Sequence, residues 1–333
     1  MGLHFSVLDA IALHPADRRG PQHVATAVKP SNFLPKNQLL RAFASSLSLP
    51  AGTEPQLLGA LCQVLQLPGS MVRAQLVYQM AAAYKIEDNH AQELAIAIEY
   101  FHSASLLFDD LPCMDNADER RGALCVHQVY GEAAAILAAL ALINRAYALL
   151  WQALAGLPPG QQSASLAYVE KWLGVEGLLN GQSQDLHYAG LAQGGFSSEK
   201  VALSKTVSLI RLSLVLPALA GGAHAAELRM LEHLAVFWGL SYQILDDLKD
   251  VYQKPDQTGK TADRDARLNR PNVALDLGAK NSLLRIERLM RLGDRVLDRL
   301  KRRLPSLSFM EELRLRFREE IAGFEVTRPA RGL

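Results

Sequence analysis

An all-α bundle is the fold class this sequence predicts, and three observations predict it. Long segments carry apolar residues at helical spacing. Alanine and leucine, both strong helix formers, dominate those segments. No stretch shows the sustained apolar–polar alternation of a strand, and no short internal repeat suggests a stacked array.

In chain order, residues 1–35 mix prolines, glycine and both charges without lasting periodicity, which reads as an N-terminal extension, partly ordered at best. Residues 36–333 read as one helical domain. Asn37 to Leu49 suits a short amphipathic helix, and breakers at Pro50-Ala51-Gly52 and Pro68-Gly69 interrupt the chain beyond it. The long helical segments are then Val72 to Tyr84, His90 to Asp109, Val129 to Leu154, Ser165 to Leu179, Lys200 to Leu219, Ala225 to Asp250 and Leu283 to Leu304. In a bundle of this kind a ligand site is built in a central cavity between facing helices.

Composition narrows the function classes. Lys and Arg total 35 against 34 Asp and Glu, so the chain offers no electrostatic case for nucleic acid or an anionic membrane surface. Cys62, Cys113 and Cys125 are too few and too scattered for a disulfide framework or a zinc site, and a reducing cytoplasm is the expected location. The first twenty residues lack a basic leader ahead of an apolar core, and no apolar run reads as an integral membrane segment.

Two acidic clusters stand out. Ser105 to Gly122, SLLFDDLPCMDNADERRG, ends an apolar helix in Asp109, Asp110, Asp115 and Asp118, followed at once by Arg120 and Arg121. Gly239 to Asp250, GLSYQILDDLKD, ends in Asp246, Asp247 and Asp250, with Asp246 and Asp250 on one helical face. A solvated face is the usual fate of such a run. A buried face that ends twice in carboxylates, however, needs cations to offset them. Hard oxygen ligands select Mg2+, which shares its remaining positions with water and substrate phosphates.

These strings, DDLPCMD with RRG and DDLKD, resemble the two aspartate-rich motifs of the trans-isoprenyl diphosphate synthases, and the resemblance runs from about Leu61 almost to the C-terminus. It implies the isoprenoid synthase helical fold, Mg2+ as cofactor, and two substrates, isopentenyl diphosphate and an allylic diphosphate (farnesyl, geranyl or dimethylallyl). It also implies a homodimer.

Residue by residue, the resemblance assigns metal binding to Asp109, Asp110, Asp115, Asp246, Asp247 and Asp250. His102, Arg121 and Arg73 would bind isopentenyl diphosphate, and Arg120, Lys205 and Thr206 the allylic diphosphate. Gln182, with Asp185 in a GQxxD string, and Gln243 would line the cavity; Lys260 and Arg270 would close over the diphosphate. Asp109, Asp110, Arg120, Lys205 and Asp246 would carry catalysis by stabilising the departing diphosphate. Ala104 stands where a bulky aromatic stops growth at farnesyl length, so geranylgeranyl diphosphate is the expected product.

The chain departs from the family pattern in two places. Pro68 to Leu76 keeps Gly69 and Arg73 but has Ser70 and Met71 where a lysine and an arginine hold isopentenyl diphosphate. Each lost charge-assisted contact is worth about 1.5–3 kcal/mol. Ala139-Leu140 replaces a common glycine-aspartate. Two alternatives therefore accompany the synthase reading: a terpene synthase-like enzyme acting on an allylic diphosphate alone, and a regulatory or partner subunit of a heteromeric synthase.

Overall fold

The computed structural model describes residues 36–252 and 270–327, so the N-terminal extension read over 1–35 and Lys260 lie outside the described residues. The helices are α1 (Lys36–Ser45), α2 (Pro55–Gln66), α3 (Val72–Ala83), α4 (Asp88–Asp109), α5 (Val126–Tyr130), α6 (Glu132–Leu154) and α7 (Pro159–Leu173). They continue with α8 (Leu178–Leu186), α9 (Tyr188–Gln193), α10 (Ser198–Ala220), α11 (Ala225–Tyr252), α12 (Val273–Leu277), α13 (Ala279–Arg303) and α14 (Met310–Thr327). A short 3-10 turn, Pro305–Phe309, joins the last two.

Glycine divides two segments that apolar periodicity joins. Gly131, at φ +84°, separates α5 from α6 inside Val129 to Leu154. Ser165 to Leu179 is split after Leu173, where a side chain at Gly177 would lie 2.3 Å from the Trp172 carbonyl oxygen. The helix α2 lies between the two breakers and is not among the segments that periodicity predicts; Pro55 starts it and the Glu54 carboxylate accepts from the Leu57 N–H at 3.0 Å.

The packing is two-sided. One core collects Leu39, Phe43, Leu61, Leu94, Ile98, Leu142 and Leu150 from α1, α2, α4 and α6. The other collects Leu234, Ile244, Leu248, Ile286, Leu297 and Met310 from α11, α13 and α14. The helices α3 and α10 belong to both: Leu209, Leu212 and Leu216 face the first core while Val207, Leu214 and Val215 face the second. A helix buried on both sides is apolar all round, and polar residues on α10 are then confined to where a ligand or a partner can meet them.

Two helices, α6 and α10, are long and apolar enough to cross a bilayer by length and composition alone, as a buried core helix also can be. Both pack against bundle neighbours, α6 on α4 and α10 between α3, α7 and α11.

Among the described residues the only sheet is a two-residue hairpin, β1 (Glu119–Arg120) paired antiparallel with β2 (Ala123–Leu124). Arg121 and Gly122 turn it at φ +57° and +75°, the paired positive angles of a type I′ turn. A strand this short leaves no alternation to read.

Candidate active site

The first aspartate motif begins as α4 ends. Asp109 is the last helical residue, and the loop folds back so that the Asp115 N–H donates to the Asp109 carbonyl at 2.9 Å and the Ala117 N–H to the Asp110 carbonyl at 3.1 Å. The turn brings Asp115 beside Asp109. Asp110 is 4% exposed, and Arg120 holds it in a fork, Nε and Nη2 donating at 2.6–2.8 Å.

The hairpin gives its two arginines different work. Arg120 turns to Asp110, whereas Arg121 donates to the Leu67 carbonyl and lays its guanidinium against Gly69. Gly69 has φ +75°, and a side chain there would run into that guanidinium at 2.6 Å. The turn before α3 thus docks on Arg121.

A second cluster forms behind that turn. The Arg73 Nη1 donates to the His102 Nε2 at 3.1 Å; because a guanidinium only donates, His102 accepts there and is a neutral imidazole with its proton on Nδ1. Burial, then Arg73, Arg121 and Arg120, hold the His102 pKa well below the ordinary value, in agreement. Glu99, one turn before His102, is 2% exposed and accepts from the Ala74 N–H at 3.0 Å. Burial raises its carboxyl pKa, while Arg73, that N–H and Arg121 oppose the rise. Ser70 is exposed and Met71 is fully buried in the core at φ 57°, so the Met71 side chain faces away from any anion. Sequence reasoning misses Glu99, because a lone glutamate in an apolar helix carries no motif.

The GQxxD string lies on α8, which meets α10 through Gly181. A side chain at Gly181 would come within 2.3 Å of the Lys205 backbone nitrogen, so only glycine permits this approach. One turn on, Asp185 receives Lys205 Nζ at 3.0 Å. Asp185 thereby becomes a central acid of the site, although its motif alone places it only beside Gln182. Gln182 itself reaches Met114 of the first motif, its Nε2 lying 3.8 Å from the sulfur.

Arg270 closes this group from the far end of the chain. It donates to the Met114 carbonyl at 2.7 Å and to Asp115 at 3.2 Å, with its Nε 3.9 Å from Asp185. Burial lowers the Lys205 pKa, but Asp109, Asp185 and Asp115 together outweigh it and hold the ammonium above its ordinary value. Burial raises Asp109, Lys205 opposes, and Asp115 and Asp185 add to the rise.

Thr206, the next residue, donates to Gln243 of α11, whose Nε2 donates to Asp247 Oδ1 at 2.7 Å. Lys205-Thr206 therefore joins the two aspartate motifs. Asp247, expected as a ligand with Asp246 and Asp250, is also engaged within the fold. It is 3% exposed, and its Oδ2 accepts from the Val273 N–H at 2.7 Å, so its carboxylate fastens α11 to α12. Asp246 and Asp250 are half-buried on the same helix, clear of that fastening.

Among the described residues no three carboxylates, histidines or cysteines converge as a preformed chelate. The donor set nevertheless fits Mg2+, which is commonly held by one or two carboxylates together with substrate phosphates and water. Burial, with Asp115 and Asp185 adding to it, raises Asp109, and a divalent cation beside these carboxylates would relieve that repulsion.

A family model described as polyprenyl synthetase matches residues 54–285. The chain belongs to the polyprenyl synthetase family. Among its relatives in that family, a chloroplastic geranylfarnesyl diphosphate synthase of Leucosceptrum canum is 36% identical over 208 residues, covering 62% of this chain and 57% of that protein. A chloroplastic geranylgeranyl pyrophosphate synthase of Capsicum annuum is 34% identical over 215 residues, covering 64% and 58%. The chain therefore spans under two thirds of these curated relatives. Among polyprenyl synthetase folds of known structure, a geranyltransferase from Helicobacter pylori, complexed with magnesium and isoprenyl diphosphate, superposes with a TM-score of 0.75. It is 26% identical, with 87% of this chain and 98% of that one covered.

Proposed function

We propose that this protein is a Mg2+-dependent prenyltransferase that condenses isopentenyl diphosphate with an allylic diphosphate to give geranylgeranyl diphosphate. The observation that carries this reading is the joining of both aspartate motifs through Lys205-Thr206, with a second cluster of cationic Arg73 and Arg121 about neutral His102. Asp109, Asp115, Asp185, Asp246 and Asp250 would hold Mg2+, which when bound neutralises the leaving diphosphate.

Lys205, Arg120 and Arg270 supply donors where negative charge develops as the allylic C–O bond breaks and its electron pair leaves with diphosphate. Arg73 and Arg121 hold the second diphosphate, with neutral His102 orienting the Arg73 fork. The apolar faces of α4 and α6 exclude water from the allylic cation. The isopentenyl double bond then attacks, a carbon–carbon bond forms, and the proton lost goes to the released diphosphate.

Incubation with Mg2+, farnesyl diphosphate and labelled isopentenyl diphosphate is expected to place label in geranylgeranyl diphosphate. Ala104, 1% exposed in the first core, sets the length: Ala104→Phe is expected to shift product toward farnesyl diphosphate from shorter primers. Exposed Ser70 and buried Met71 favour a second reading, an enzyme that ionises an allylic diphosphate alone. Consumption of farnesyl diphosphate without label incorporation would establish it, and inertness toward every allylic partner would indicate a partner subunit.

The assembly we propose is a homodimer through α6. Leu137, Leu140, Tyr147 and Trp151 are 51%, 49%, 49% and 62% exposed at alternating three- and four-residue steps around Asn144, a seam suited to a second helix of the same kind. Leu140, where the family carries aspartate, lies on this seam and not in the site. Light scattering is expected to give twice the chain mass, and Leu140→Asp with Trp151→Glu to give the monomer. Location in the cytoplasm is part of the same reading, with Cys62 and Cys113 unbridged.

A further inference from the structure

We propose that a groove between the start of α11 and the end of α13 binds a phosphate or diphosphate group, apart from the acid-lined site. The groove has a volume of about 510 Å³ and is lined by Ala226, Arg229, Met230, His233, Arg299, Arg302 and Arg303. That volume falls within the range of about 300–1,000 Å³ typical of small-molecule sites. Arg229 and His233 lie one turn apart on α11, and Arg299 and Arg303 one turn apart on α13, so two basic faces converge from antiparallel helices.

Basic residues in the last turn of a helix ordinarily offset its negative end. That accounts for Arg302 and Arg303 but not for Arg229 and His233, which belong to the opposite, positive end of α11. The neighbouring acids are engaged elsewhere. Glu227 accepts from Tyr84, Glu232 pairs with Arg211 and Tyr168, and Asp298 pairs with Lys301.

Most other arginines of the two C-terminal helices are paired, Arg288 and Arg295 excepted. Arg291 pairs with Glu287, Arg316 with Glu312, and Arg314 and Arg318 with Asp294. None of the four groove guanidiniums forms an ion pair with a described carboxylate, and all four are exposed. Guanidinium forks converging without a carboxylate are the arrangement that binds phosphate oxygens bidentately. The positive end of α11 adds to the attraction.

The site is tested with the full chain carrying Lys205→Met, Arg73→Gln and Arg121→Gln, free of divalent metal, so that binding at the acid-lined site and at the Arg73–Arg121 cluster is suppressed. Calorimetric titration with inorganic diphosphate is expected to show one site, weakened tenfold or more by Arg299→Gln with Arg303→Gln. A charge-matched control, Arg291→Gln with Arg316→Gln, is expected to bind as before. Flotation with phosphatidylcholine vesicles containing phosphatidic acid separates the source of the phosphate: loss of vesicle binding alone in the groove variant would identify a lipid headgroup. Equal weakening in the control, or no change in either assay, would overturn the proposal. Circular dichroism checks that each variant is folded.

Discussion

Lys205→Met is expected to lower turnover by about 10²–10³-fold, the usual loss when one donor to a developing anion is removed. Lys205 is the ammonium that Asp109, Asp115 and Asp185 hold charged inside the bundle, and Thr206 beside it reaches the second motif. The loss should fall on kcat, with KM for isopentenyl diphosphate changed little, because that substrate is assigned to Arg73 and Arg121. Lys205→Arg, which retains the charge, should recover part of the rate. Steady-state kinetics with each substrate varied separately decides this; a methionine variant within tenfold of the parent would remove Lys205 from the mechanism.

The second large effect is on stability. Arg120→Met leaves Asp110, 4% exposed, without the fork that holds it. Breaking a buried pair by removing one partner costs about 3–5 kcal/mol. Arg120 retains 23% side-chain exposure, so water reaches part of this pair and a loss of about 2–4 kcal/mol is expected. Thermal unfolding should register that as a fall of about 3–6 °C. Adding Asp110→Asn to the same chain removes the orphaned charge and should return more than half of the lost stability without restoring activity. Non-additivity of this sign is what a direct pair requires; additive losses would show that the two residues act separately.

Much of the site is legible in the sequence because its chemistry is local. The end of α4, its aspartates and the following arginines occupy one short stretch, and α3, α4, α10 and α11 emerge from periodicity with ends shifted by a few residues. Asp185 is less legible. Its importance depends on Gly181 letting α8 touch α10, a contact between segments that sequence spacing does not encode. The different surroundings of Asp247 are signalled in the sequence. If Asp246 and Asp250 share a face, the next residue after Asp246 is rotated by roughly 100° and must look elsewhere. The highly charged helix α14 escapes periodicity because its apolar positions are sparse, and Arg270 cannot be paired with Asp115 from sequence, being tied to it only by the closure of the bundle.

The fastening of Asp247 to the Val273 N–H has a consequence for how such a chain can change over time. The end of α11 and the start of α12 are clamped to one another by that carboxylate, reinforced by Asn272 and by Arg270 at Asp115. The position of Asp246 is thereby tied to a contact that no substrate touches, and change at Asp247 or Asn272 should be tolerated least among descendants of this chain even though neither need meet a ligand.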